Sequence, residues 1–370
     1  MATTKIIPGV LDLNEANSES GLKMPKGNSA YAAPPTVAEG MMRNQVGEAS
    51  NNSASCMQHY NGSEWKNFVN VPLDVTVDYL VVAGEGSGGD GDLAGSGGGG
   101  GAGGLRTSYT GAPNAGSGGG QPAETAITVT VGTAYTVEVG DGGAAISGLV
   151  PGNDGADSKF GVVGSEIVST GGGGGAYANQ AGRDGGSGGG GGNSAAAGGT
   201  DNYGNAVTSP TTQGFRGGKG YHASPYYPNG GGGGAAAAGG DATSGSSQAG
   251  NGGAGLEVNI IGGSGNFYAG GGAFGQYATS SGGTGGTGGG GGYGGGQSID
   301  GTANTGGGGA GISAQSTSGA GGKGVVILRY PTASVSSFSV TGTLNTPTPV
   351  VDGSDSSITF TTGTGTITFS

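Results

Sequence analysis

Alternating apolar and polar residues mark the ordered parts of this chain. "AITVTVGTAYTVEVG" (126–140) alternates with period two on both sides of Gly132-Thr133, which predicts a hairpin turning there. "SKFGVVGSEIVST" (158–170) predicts a second hairpin. The apolar runs "DYLVVAG" (78–84) and "GVVILRYP" (324–331) read as strands. Near the C-terminus alternation returns, pairing Phe338 with Val340, Ile358 with Phe360 and Ile367 with Phe369. Upstream, Asn61-Gly62 within "MQHYNGSEWKNFVNV" is a strong short hairpin signal. It predicts strands over Met57–Tyr60 and Glu64–Phe68, and a further short strand is expected near Met41–Asn44.

Between these strands the pattern disappears into glycine. Of 98 glycines, six fall in residues 1–73 and four in 332–370, which leaves 88 for residues 74–331. The chain therefore divides into an N-terminal segment (1–73), a glycine-rich domain (74–331) and a C-terminal β cap (332–370). The densest tracts are 95–104, 171–175, 185–192, 230–240, 282–296 and 305–311. Residues 282–296 parse as GGT-GGT-GGG-GGY-GGG, a three-residue frame. An extended helix with three residues per turn has no internal hydrogen bonds, so its N–H and C=O groups are free to pair with neighbouring helices. Glycine alone lets such backbones approach closely. The expected fold is all-β with irregular structure. β hairpins frame a bundle of packed polyglycine II helices, with small β domains at both ends. A flexible Gly/Ser linker is the competing reading of the tracts. Collagen is disfavoured by the broken glycine register and by only 14 prolines.

Charge and composition narrow the chemistry. The net charge of −12 argues against nucleic acid or an anionic membrane as partner. No apolar run reaches the ~20 residues that span a bilayer, so no membrane insertion is expected. The start of the chain lacks the apolar core of a signal peptide, and synthesis in a reducing cytosol is expected. The lone cysteine, Cys56, excludes an internal disulfide. Gly84-x-Gly86-x-x-Gly89 spells a dinucleotide-binding turn, but the glycine-rich sequence after it cannot hold the helix such a turn opens. No cofactor is expected. His59 and His222 stand in unrelated contexts, and no residues show metal-ligand spacing. The acid-glycine stretches "DGDL" (90–93) and "GNDGADSK" (152–159) lack the ligand series of a calcium loop and read as turns. No catalytic constellation is present, and the protein is expected not to be an enzyme.

One stretch stands apart. "NYGNAVTSPTTQGFRGGKGYHASPYYPNG" (202–230) gathers Tyr203, Phe215, Tyr221, Tyr226 and Tyr227 with Arg216, Lys219 and His222. It reads as a long irregular excursion between glycine tracts, and long loops on rigid scaffolds commonly carry binding function. Tyrosine and arginine are enriched at recognition hot spots. These eight residues are the candidate receptor-binding set. Packing of the same rings over glycine backbone or between subunits is the alternative. A second aromatic cluster, "NFYAGGGAFGQY" (266–277), is expected to stand near them.

The framing segments "VDYLVVAGEGSGG", "ITVTVGTAYTVEVGDGG", "GNDGADSKFG" and "GGKGVVILRYP" together resemble the glycine-rich domain of bacteriophage virion proteins, common in tail fibres and adhesins of marine phages. The resemblance covers about residues 76–331. "LKMPKGNSAY", "AEGMMRN" and "MQHYNGSEWKNF" are similar, in that order, to a second recurrent phage-fibre segment. The resemblance implies a homotrimeric component of the virion surface, assembled in the host cytoplasm. It implies attachment to other virion proteins through residues 1–73, and a host-surface glycan or protein as partner. Met57, Tyr60, Trp65 and Phe68 then become the expected subunit interface. The chain lacks a long shaft repeat, which leaves open a capsid-decorating or structural fibre with no receptor role. A glycan-cleaving fibre enzyme is disfavoured by the lack of a spaced carboxylate pair.

Overall fold

The structure is a computed structural model. It describes the strands Lys26–Gly27, Met42–Gln45, Cys56–Tyr60 and Trp65–Asn67 together with Ser63. It also describes residues 74–370 apart from 92–96, 112–115, 194–201, 223–226, 244–247, 275–281, 295–296 and 314–315. The chain divides into two units, Met1–Pro72 and Leu73–Ser370. In the first unit the four strands form one sheet in chain order. Cys56–Tyr60 pairs antiparallel with Trp65–Asn67, Tyr60 opposite Trp65, as the Asn-Gly turn signal predicts. Met57, Tyr60 and Trp65 of the expected interface lie on these strands, while Phe68 lies outside the described residues.

The second unit begins as a β-sandwich. One sheet runs Val350–Asp352, Asp355–Phe360, Val325–Pro331, Asp74–Val82, Leu105–Thr107, with Ile127–Thr130 also pairing with Asp74–Val82. The other runs Ile167–Ser169, Ser158–Gly161, Ala134–Glu138, Thr364–Phe369, Phe338–Val340. Alternate side chains of both sheets meet in a core that includes Val77, Tyr79, Val137, Phe160, Leu328, Phe360 and Phe369. The opposite face of the first sheet is buried too. Leu80, Val82 and Ile327 pack there against Val258, Ile260 and the alanines Ala102 and Ala235. Burial on both faces explains why 78–84 and 324–331 read as continuous apolar runs and not as alternation.

The predicted hairpin at 158–170 is present, with Phe160 opposite Ile167. The one at 126–140 is not. Its two strands pair into different sheets, Ile127–Thr130 with Asp74–Val82 and Ala134–Glu138 with Ser158–Gly161. The turn between them crosses the sandwich, because Val129 and Val137 both point into the same core. The backbone N–H of Thr130 donates to the Tyr135 hydroxyl at 2.7 Å across the turn. The C-terminal strands likewise complete both sheets, so 332–370 belongs to the same unit as 74–331 instead of standing as a separate cap. Ile358 and Phe360 face the core from one sheet, Ile367 and Phe369 from the other.

Five of these strands run directly into or out of glycine segments: 83–90, 97–104, 139–143, 170–176 and 319–324. The segment 97–104 shows how they pack. Gly97, Gly100 and Gly103 donate to Ile312, Gly309 and Gly306. Gly98, Gly101 and Gly104 donate to Ala176, Gly173 and Thr170, and Gly99 and Ala102 to Gly230 and Gly233. Its carbonyls accept from three more segments: Gly98, Gly101 and Gly104 from Gly89, Gly86 and Ala83; Gly99 and Ala102 from Gly190 and Ser187; Gly100 from Gly272. Every partner series advances in steps of three. That is a three-residue-per-turn helix with six neighbours, the polyglycine II arrangement. The segment is wholly buried with almost no apolar side chain. Hydrogen bonds of 2.8–3.3 Å pair all eight N–H groups and six of the carbonyls, which burial would otherwise orphan.

At the rim, where a neighbour is missing, side chains replace it. On 170–176, Gly172 and Gly175 donate to Gly84 and Ser87, and Gly173 and Ala176 to Ser187 and Gly190. The third row faces out, and there Gly171 and Gly174 donate to the carboxylates of Asp157 and Asp154 at 2.9 and 2.8 Å. Asp184, Asp241 and Asp300 cap Asn205, Lys219 and Ala320 in the same way. The stretch 152–159 is not the turn its acid-glycine sequence suggests: Gly152 and Gly155 donate to Gly175 and Gly172 in a step of three, the strand Ser158–Gly161 follows, and Asp154 and Asp157 seal the edge. The triplet frame at 282–296 does not form one continuous helix. The chain turns at 287–289, where Gly288 and Gly289 take φ of 93° and 97°, and ends in the strand pair Tyr293–Gly294 and Gln297–Ser298.

The packing predicts where glycine is irreplaceable. A Cβ at Gly100 would stand 2.1 Å from the carbonyl oxygen of Gly86, with neighbours on all sides preventing retreat. At the rim, a Cβ at Gly294 meets only the Ile299 methyl at 3.3 Å. In thermal melts Gly100→Ala is expected to cost at least about 3 kcal/mol or prevent folding. Gly294→Ala should stay within about 0.5 kcal/mol of wild type. Equal melting of the two variants would contradict the packing.

Candidate recognition site

Residues 213–222 are not a free excursion. Phe215, Gly218 and Tyr221 donate to Gly234, Gly231 and Pro228, again in steps of three. The carbonyls of Phe215 and Gly218 accept from Gly188 and Gly191, and those of Arg216 and Lys219 from Gly239 and Ala242. The segment is therefore one more member of the bundle. Three residues per turn place Arg216, Lys219 and His222 in a single row, about 9 Å apart.

Neighbouring segments complete the row. Gly217 donates to Gly204, which sets Tyr203 beside it. The Arg216 guanidinium lies 4.4 Å from the centre of the Tyr203 ring, and the Lys219 ammonium 5.8 Å from it. Cation–π contacts at such half-exposed sites contribute about 0.5–1 kcal/mol. On the other side stands Asp241. Its carboxylate pairs with Arg216 at 3.1 Å and accepts the Lys219 backbone N–H at 2.8 Å. Arg216 also donates to the Gly217 carbonyl at 2.7 Å. With side chains 35% and 46% exposed, the Arg216–Asp241 pair orients more than it stabilises.

Further along, the rings of His222 and Tyr227 meet at 5.0 Å. His222 Nδ1 is buried and makes no hydrogen bond among the described residues. Of the eight candidate residues, Tyr203, Arg216 and Lys219 are thus brought together, and His222 meets Tyr227. Tyr221 is half-buried between these groups in the chain, and Tyr226 lies outside the described residues. Phe215 is separate. It faces the sandwich end, where a Cβ at Gly120 would lie 4.0 Å from its ring. A cavity of about 230 Å³ lined by Ser117, Gln121, Ala235, Ala236, Leu256 and two glycines carries no titratable side chain. The second aromatic cluster is split: Tyr268 and Phe274 are buried, Phe267 is exposed, and Tyr277 lies outside the described residues. Asp241 was not a sequence candidate; its cue is its place directly after the tract 230–240.

The bundle has direction. Segments 83–90 and 170–176 leave the sandwich, and 186–193 and 213–222 run alongside them. His222 and Tyr227 therefore lie at the end away from the sandwich. The dinucleotide-like glycines are fully engaged within the bundle. Gly84, Gly86 and Gly89 donate to Ala156, Gly101 and Gly98, which leaves none of these N–H groups for a phosphate. Among the described residues no group of three or more His, Cys, Asp or Glu is placed to hold a metal. No helix among them is long and apolar enough to cross a membrane.

A family model described as a glycine-rich domain matches residues 62–331. A search of curated proteins finds no match.

Asp241 offers a test of how the row is held. Asp241→Ala should cost about 1 kcal/mol and speed hydrogen exchange at the Lys219 amide. Asp241→Asn, which keeps an acceptor, should change exchange little. Equal protection of that amide in wild type and Asp241→Ala would show that the carboxylate does not hold it.

Proposed function

The chain belongs to the glycine-rich domain family, and we propose that it is a bacteriophage virion fibre protein, a non-enzymatic adhesin that contacts the host surface. The observation that carries this reading is the cationic and aromatic row on 213–222. It is fixed to a backbone-bonded bundle and runs toward the end away from the sandwich. A pre-ordered scaffold lowers the entropy cost of binding. A host-surface glycan presents apolar sugar faces to Tyr203, Tyr221 and Tyr227, and its anionic groups to Arg216 and Lys219. A host-surface protein is the other partner this row suits. In the same reading residues 1–73 attach the chain to other virion proteins. Met57, Tyr60, Trp65 and Phe68 then contribute to a homotrimer.

A second reading has its own support. Arg216 is already engaged by Tyr203, Asp241 and the Gly217 carbonyl, as purely structural packing would require. A capsid-decorating fibre without a receptor role fits that satisfaction.

Antibody labelling of purified particles should place the chain on the virion surface; particles lacking it would sink both readings. Particles carrying Tyr203→Ala, Arg216→Ala and Tyr227→Ala together should assemble and adsorb to host cells at least about tenfold less well. Normal adsorption would favour the decorating role. Sedimentation of the full chain should give a trimer, and a monomer would remove the interface role of the N-terminal residues.

A further inference from the structure

Glu85 lies within "VVAGEGSGG", on the segment that continues the strand Asp74–Val82, and it is wholly buried. Its backbone is locked on both sides. The N–H donates to the Gly322 carbonyl at 3.2 Å, and its own carbonyl accepts from Gly143 at 2.7 Å. Of the two carboxyl oxygens, Oε2 accepts the Gly322 N–H at 3.0 Å. Oε1 is buried and has no hydrogen-bond partner among the described residues. Glycine backbone walls the group. A Cβ at Gly301 would stand 2.5 Å from Oε2, and one at Gly322 3.1 Å from Oε1.

The segments packed around Glu85 bring no cation to it. On 139–143 the charged residue is Asp141, exposed and paired with Lys323 of 319–324 at 2.7 Å. Asp300 caps the Ala320 N–H. On 152–157, Asp154 holds Gly174 and Arg183, and Asp157 holds Gly171. Segments 97–104 and 306–309 carry no charged residue. Farther along its own segment, Asp90 is buried as well and accepts the Gly148 N–H at 2.8 Å. A carboxylate buried without a cation is strongly disfavoured, and the group takes up a proton instead.

We infer that Glu85 is a neutral carboxylic acid in the folded chain at neutral pH, and that it acts as a proton-dependent clamp between segments 83–90 and 319–324. Burial pushes its carboxyl well above the ordinary value of 4.5, and the Gly322 N–H opposes this only in part. The folded state holds its proton more tightly than the unfolded state. The stability the proton confers is therefore complete below about pH 4.5 and is lost as pH rises through the folded-state value. Burial shifts Asp90 in the same direction, so it adds to the trend. Alkaline conditions loosen the bundle along the seam that Glu85 holds.

Thermal melts of the full chain from about pH 5 to about pH 9 test this. Wild type should lose several degrees across that range. Glu85→Gln should melt with a shallower slope and lie above wild type at the alkaline end. Parallel slopes for the two would overturn the proposal. If the variant does not fold, infrared spectra of wild type with isotope-labelled glutamate decide the matter. A protonated carboxyl band from glutamate is expected in the folded chain at neutral pH, and its absence would overturn the proposal.

Discussion

The hydrogen bond between glycine backbones of adjacent segments is the interaction on which this structure rests. In most domains apolar side chains fill the interior and backbone groups pair within strands or helices. Here the segment 97–104 is buried by six other segments, which take all eight of its N–H groups and six of its carbonyls. Each such bond contributes only about 1 kcal/mol net. Leaving the same groups buried and unpaired costs more, so the array holds as a set or not at all. Glycine also loses the most conformational freedom on folding. The apolar sandwich offsets part of that cost by fixing where the segments begin. Strands such as Asp74–Val82 and Val325–Pro331 pair in register, Leu80 opposite Ile327, and set the phase of the glycine segments attached to them.

The three-residue turn has consequences for every side chain near the bundle. Residues three apart share a face, which is how Arg216, Lys219 and His222 come to form one row. It also decides what happens at the rim. A row of outward N–H groups needs acceptors, and aspartates supply them at Gly171, Gly174, Lys219 and Ala320. Part of the acidic excess of the chain is therefore architectural. It seals edges, and it says little about a charged partner.

Period-two alternation made the sandwich strands legible in the sequence, because burial on one face leaves that mark. It did not show which strand pairs with which. The segment 126–140 looks like a hairpin, yet its strands join different sheets, and so do the alternating strands Asp355–Phe360 and Thr364–Phe369. Alternation is the same whether two strands share a sheet or face each other across a core. The glycine bundle was legible as a type of packing but not as an arrangement. Glycine runs carry no side-chain pattern to reveal which segments are neighbours. The most regular tract turns back on itself at 287–289, and much of its described part, 282–294, is only partly buried. The less regular 97–104 occupies the centre. In the candidate site, clustering of aromatic and basic residues drew attention to 202–230. The three-residue spacing that organises Arg216, Lys219 and His222 became meaningful only once 213–222 was seen to be part of the bundle. Phe215 fell outside the group because position along such a segment, and not nearness in sequence, decides which end a residue reaches.

A bundle held by backbone bonds should be rigid where those bonds are buried and should open only when the whole unit opens. Hydrogen exchange, resolved to individual glycine amides, measures this directly. The amides of 97–104 are expected to exchange as slowly as those of Leu80 and Ile327 in the sandwich strands, at the rate set by global unfolding. Fast exchange of 97–104 beside fully protected strand amides would contradict the account, because the glycine segments would then be loops carried by the sandwich and not a core of their own.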